Sequence, residues 1–175
     1  MNFRQQKTSQ VLVSFVFSLV VYMVAMGTIT AMTFIKATPI LADEYDKQIL
    51  VGQDFSGKDL TNDSFTKSIL RKSNFSNANL SGVSLFGAHL EGANLEGANL
   101  SYSTLDDAVF NKANLTNAIL EGAFAFHTQF RDAIIDGADF TDAFLRKDTK
   151  KDLCKIAQGK NSITGNETRD TLFCK

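Results

Sequence analysis

The chain has 175 residues, 44% of them hydrophobic and 21% charged, with a formal net charge of −1. That balance excludes a disordered tail and a polytopic membrane protein. It also lacks the basic surplus that nucleic-acid binding requires.

The first predicted element is an export segment. Arg4 and Lys7 give a cationic start, Val11 to Ile35 carries no charge, and Lys36-Ala-Thr-Pro-Ile-Leu-Ala42 leads into Asp43-Glu44. A basic start, an apolar middle and a small residue before a polar stretch form a secretory signal. Cleavage is expected after Ala42, although Ile40 is a poor −3 residue. The apolar run, about 25 residues, also suffices for an uncleaved membrane anchor. Either way, residues 1–42 deliver the rest of the chain across a membrane, and any membrane contact runs through them. Beyond residue 42, 15 basic side chains face 19 acidic ones. Residues 43–52 form a lead-in.

From residue 53 a period of five takes over. Large apolar residues stand at Phe55, Leu60, Phe65, Leu70, Phe75, Leu80, Leu85, Leu90, Leu95, Leu100, Leu105, Phe110, Leu115, Leu120, Phe130, Ile135, Phe140 and Leu145. Ala125 is the one miss. A second register, two residues earlier, runs from Ser68 to Ala143 and is Ala or Ser except at Val83 and Thr128.

An α-helix would turn every fifth residue about 140° around its axis. A flat strand would throw those residues alternately to opposite faces. A chain that bends once per five residues keeps them all inside. Four units make a square coil, with the large residue filling the centre and the small one fitting under the corner. Stacked at ~4.8 Å, about four and a half coils give a rod of ~20 Å. The fold class is therefore an all-β solenoid, a quadrilateral β-helix. Residues 53–147 resemble the pentapeptide-repeat family, whose consensus is A(D/N)LXX; the clearest units are Gly92-Ala-Asn-Leu-Glu96 and Gly97-Ala-Asn-Leu-Ser101. The resemblance implies a right-handed coil.

Residues 20 apart then lie above one another. Asp54, Asn74, Asn94 and Asn114 make one outer column; Asp59, Asn79 and Asn99, with Asp139 later, make another. Such amide ladders are structural first. Ala125 would leave a hole unless Phe124 or Phe126 turns inward. If they face out, Phe124 with Phe144, and Phe126 with Phe86, make an aromatic contact patch, since contiguous exposed apolar surface marks binding sites. His127 stands one coil after Asp107, and His89 has no partner in the columns. Two histidines and two late cysteines offer no catalytic or metal-binding set, so no enzyme activity, metal or cofactor is expected.

The period stops after Leu145, and residues 148–175 are expected to form a helical cap over the open end. Asp152 to Gln158 reads as a short helix ended by Gly159, and Thr168 to Phe173 as a second. Cys154 and Cys174, an even pair behind an export signal, read as a disulfide; two free thiols are the alternative. Leu153-Cys-Lys-Ile-Ala-Gln-Gly159, Asn161, Thr164-Gly165 and Thr168-Arg-Asp-Thr-Leu-Phe-Cys174 resemble the C-terminal segment of lumenal pentapeptide-repeat proteins of plant thylakoids and their cyanobacterial relatives, departing at Ser162 from the usual Pro. The resemblance implies a thylakoid lumen or a periplasm and no particular chemistry.

Three functions compete. The first is a non-catalytic scaffold or protein-binding module, an assembly or regulatory factor whose partner is a protein, such as a thylakoid membrane complex. The second is a factor regulated through Cys154 and Cys174. The third, a DNA mimic that binds topoisomerase as some relatives of the family do, fits poorly with export and weak charge.

Overall fold

The computed structural model describes residues 45–175, so the expected export segment, residues 1–42, lies outside the described residues. From Tyr45 the chain winds as a solenoid whose sides pair in parallel. Bridges link residues 20 apart from Ile49↔Ile69 to Ile119↔Asp139. The last pair widens into β1 (Phe124–Ala125) and β2 (Phe144–Leu145), parallel, with Phe124 opposite Phe144.

Backbone hydrogen bonds run along the rod axis. Asn94 N–H donates to Ser73 O at 2.9 Å, while Asn94 O accepts from Phe75 N–H at 2.7 Å. Each corner is closed by an N–H bonding back three residues, as from Ala98 to Leu95 O at 3.0 Å. These β-turns place their third residue at positive φ, from Lys47 (56°) to Asp142 (53°). Asn62 and His127 are the two corners between Lys47 and Asp142 that depart from this.

The core follows the five-residue period. Seventeen of the eighteen large apolar residues are buried; Leu145, beside the last coil's exit, is partly covered. Aromatic rings stack along the axis, Phe55 over Phe75 at 4.8 Å and Phe110 over Phe130 at 5.6 Å. The small register is buried beside them, except Ala143 at its end, which is partly covered. Where it carries serine, the hydroxyl donates to the carbonyl of the turn, as Ser68 does to Phe65 O and Ser103 to Leu100 O, both at 2.6 Å. A buried polar atom is tolerated because it is bonded.

The amide columns form directional ladders. Asn74 Nδ2 donates to Asp54 at 3.1 Å, Asn94 to Asn74 at 3.3 Å and Asn114 to Asn94 at 3.1 Å. The second ladder repeats this from Asn79 to Asp59 and from Asn99 to Asn79. Each starts on an aspartate, which accepts and has nothing to donate.

After β2 the C-terminal segment folds across the last coil. Helix α1 is Lys147–Leu153, not Asp152 to Gln158. Extended Arg146 precedes it, Asp148 lies in its first turn and Lys150 and Lys151 in its last, matching the helix dipole at both ends. Helix α2 is Thr168–Thr171, shorter than the sequence suggests. Leu153, Ala157 and Leu172 are buried against the core. Gly137 N–H donates to Gln158 O at 2.8 Å and Phe140 N–H to Thr171 Oγ1 at 3.1 Å. At Gly159 (φ +80°) a Cβ would come within 2.8 Å of Gly137 N, so glycine permits this close approach. Buried Asn161 donates to the carbonyls of Gly137 and Asn117.

Asp139, in the same column as the second ladder but separated from it by Ile119, ties this segment to the last coil. Its carboxylate accepts from Thr141 N–H, Thr141 Oγ1 and Asn166 Nδ2 at 2.9, 2.6 and 2.9 Å. Burial pushes the acid up, but hydrogen bonds from Thr141, Thr164 and Asn166 hold it below its ordinary 3.8. A depressed carboxylate contributes stability above the unfolded value and loses it as pH falls through the folded one. Asp139→Asn should cost about 2 kcal/mol near neutral pH, in line with lost charged hydrogen bonds. In urea titrations that gap should persist to about pH 5 and close only below about pH 4. A gap that closes between about pH 7 and pH 5 would contradict the assignment.

Candidate functional site

One face of the rod changes character along its length. Its outward positions are Ser64, Ser84, Thr104, Phe124 and Phe144, each paired to the next. Near its start the face is a hydroxyl network: Ser64 Oγ donates to Asp46 at 2.6 Å, and Thr66 and Ser84 hydroxyls bond at 2.8 Å. Near its end it is aromatic. Phe124 and Phe144 stack at 5.0 Å with planes 1° apart, yet remain 49% and 56% exposed. Parallel pairing one coil apart forces this offset, so the rings are held by the backbone.

Phe126 stands on the following corner, 52% exposed and edge-on to His127 at 5.0 Å. Phe86 is not part of this exposed patch. It is half-buried, with Lys67 Nζ 5.9 Å from its ring, and Asp106 occupies the coil between it and Phe126. Tyr102 was not singled out in the sequence, but it belongs to the neighbourhood. It occupies the preceding corner at φ 57°, 58% exposed. Its ring lies over Gly122, where a Cβ would meet it at 2.6 Å, and its hydroxyl donates to Glu121 at 3.1 Å. That bond and the carboxylate's charge raise the phenol above its ordinary value. The signal was in the sequence: Gly122 follows Tyr102 by one coil.

Ala125 is buried and neither flanking phenylalanine turns inward. The ladder gives way instead. His127 N–H bonds Asp106 Oδ1 at 2.8 Å, and Thr128 Oγ1 donates to Leu105 O at 2.7 Å. The His127 ring is nearer Asp106 (3.3 Å) than Asp107 (3.9 Å). His89, which has no partner in the column pattern, meets Glu91 at 3.2 Å.

Cys154 and Cys174 form a disulfide with Cα atoms 5.5 Å apart, fastening the turn after α1 to the chain end after α2. Among the described residues, no three or more His, Cys, Asp or Glu side chains gather to hold a metal.

Comparison with known proteins agrees with this geometry. A family model described as "Pentapeptide repeats" matches residues 50–82, 84–122 and 108–146 in 8 copies. Thylakoid lumenal 15 kDa protein 1, chloroplastic, of Arabidopsis thaliana is 59% identical over 34 residues; that stretch covers 19% of this chain and only 15% of the relative's length. The crystal structure of a pentapeptide repeat protein from the Arabidopsis thaliana thylakoid lumen matches at 49% identity and TM-score 0.73, over 75% of this chain and 91% of that one. The chain belongs to the pentapeptide-repeat family, its body is a right-handed β-helix, and a disulfide joins Cys154 to Cys174 in its C-terminal segment.

Proposed function

We propose that the protein is a non-catalytic scaffold of the thylakoid lumen, an assembly or regulatory factor that grips a protein partner through the aromatic end of one face. The observation that carries this is the exposed Phe124–Phe144 stack, rigid because both residues sit in paired backbone. Large rings held in place lose little entropy on binding and serve as anchors. The lumenal residence named in the Arabidopsis matches supports the same compartment here.

Phe124→Ser with Phe144→Ser should abolish capture of a partner by cross-linking in native thylakoid membranes. Thermal unfolding should shift little, because the rings are half-exposed. Undiminished cross-linking by the double variant would remove the proposal.

A second reading uses the disulfide. Cys154 and Cys174 are only partly buried, so a lumenal thiol exchanger can reach them. Reduction would then loosen the C-terminal segment and change what the rod end presents.

A further inference from the structure

Except around the corners at Asn62 and Asp107, each coil presents the next with the same backbone groups: a carbonyl two residues before the core residue, the core N–H, and the corner N–H. Ser73 O, Phe75 N–H and Asn77 N–H are paired this way with Asn94 and Glu96. The last coil has no coil beyond it, and the C-terminal segment replaces that coil unevenly. Gly137 N–H and Phe140 N–H are met by Gln158 and Thr171. Along the two preceding sides, the N–H groups of Phe130, Asp132 and Ile135 and the carbonyls of Thr128 and Ala133 have no partner among the described residues.

These groups open into a cleft of about 1190 Å³. One wall is the bare edge from Thr128 to Asp136; the other comes from Asp148, Asp152, Lys155 and Ile156. The charged lining is four aspartates, Asp132, Asp136, Asp148 and Asp152, against Arg131 and Lys155. Two of these aspartates are already paired, Asp152 with Lys155 at 2.6 Å and Asp148 with Arg146 at 2.7 Å, which leaves Asp132 and Asp136 against Arg131. The coil below turns this corner at Lys112 (φ 60°), and Asp132 lies above it at φ 57°.

We propose that this edge docks an extended basic peptide segment of a partner protein, laid down as one more rung of the helix. An unpaired strand edge supplies main-chain hydrogen bonds to an added strand. The aspartate surplus selects positive side chains. The corner at Asp132 requires the segment to bend there, and a lysine at its bend stands over Asp132 as Lys112 stands under it. The site shares no residue with the Phe124–Phe144 face.

The test uses the full chain and a fluorescent, end-blocked nonapeptide patterned on residues 108–116, with V109K, F110A, N114K and L115A. Saturable anisotropy is expected, together with slowed hydrogen exchange at the Phe130, Asp132 and Ile135 amides. N-methylation of the peptide's pairing amides should weaken binding at least tenfold. So should the surface variant D132K/D152K in the protein, whose corner position accepts lysine elsewhere in the rod. Three results would overturn the proposal. One is absence of binding. Another is equal binding of the methylated peptide, which reduces the contact to charge alone. The third is edge protection by self-association without peptide, which makes a second copy the occupant.

Discussion

Leu100→Ala is expected to destabilise the rod by about 3 kcal/mol, the middle of the range for deleting a buried leucine side chain. Leu100 is fully buried. Its column holds Leu80 below and Leu120 above, each fixed by backbone pairing one coil away. A square coil cannot shrink on one side without breaking those pairs, so the cavity stays open and the cost should not fall to the transfer term alone. In urea unfolding the midpoint should drop while the slope stays constant. Asn99→Ala, one residue earlier and facing outward, removes ladder hydrogen bonds and should cost only about 1 kcal/mol. Equal losses at the two positions would mean that the interior does not hold the rod together.

Removing the disulfide should have an effect of similar size, delivered elsewhere. Cys154→Ser with Cys174→Ser opens a loop of sequence separation 20, worth about 3 kcal/mol in the chain-entropy account. The loss should fall first on the C-terminal segment. Gly137 and Phe140 amides, bonded to Gln158 and Thr171, should exchange faster, while Leu95 and Leu100 amides, deep in the ladder, keep their protection. Treatment of the unaltered protein with a reductant should reproduce the pattern. If reduced and oxidised protein melt together and exchange alike, regulation through this bond has no lever.

The interior was readable in the sequence because a single physical rule, one bulky residue per bend, writes itself at every fifth position. The ladders were readable for the same reason, once residues 20 apart were stacked. A third register was equally visible and was missed. The left-handed corners fall on Gly, as at Gly82, Gly87, Gly92 and Gly97, or on Asn, Asp or Lys, with Tyr102 the exception. That register marks the turn type and would have drawn notice to Tyr102 and His127 as corners outside the preferred set. Surface exposure was less legible. Phe86 and Phe126 occupy equivalent corner positions two coils apart, yet Lys67 lies over the first ring while the second stands exposed beside the irregular His127 corner. Periodicity fixes which way a side chain points; what leans over it depends on long, flexible neighbours. The C-terminal helices escaped for another reason. Short helices are set by tertiary contacts more than by propensity, and α1 begins as soon as the chain leaves β2.

Vertical neighbours lie 20 residues apart throughout the solenoid, so the rod's length is quantised. Excising residues 81–100 would shorten the rod by one full storey and leave every later side chain facing the same way. Excising residues 91–95 would rotate everything downstream by a quarter turn, seating Thr104 above Asn79 instead of Ser84. Insertions and deletions in such a chain are therefore tolerated in multiples of a storey. A partner that reads one wall would see no change from the first and a different wall after the second.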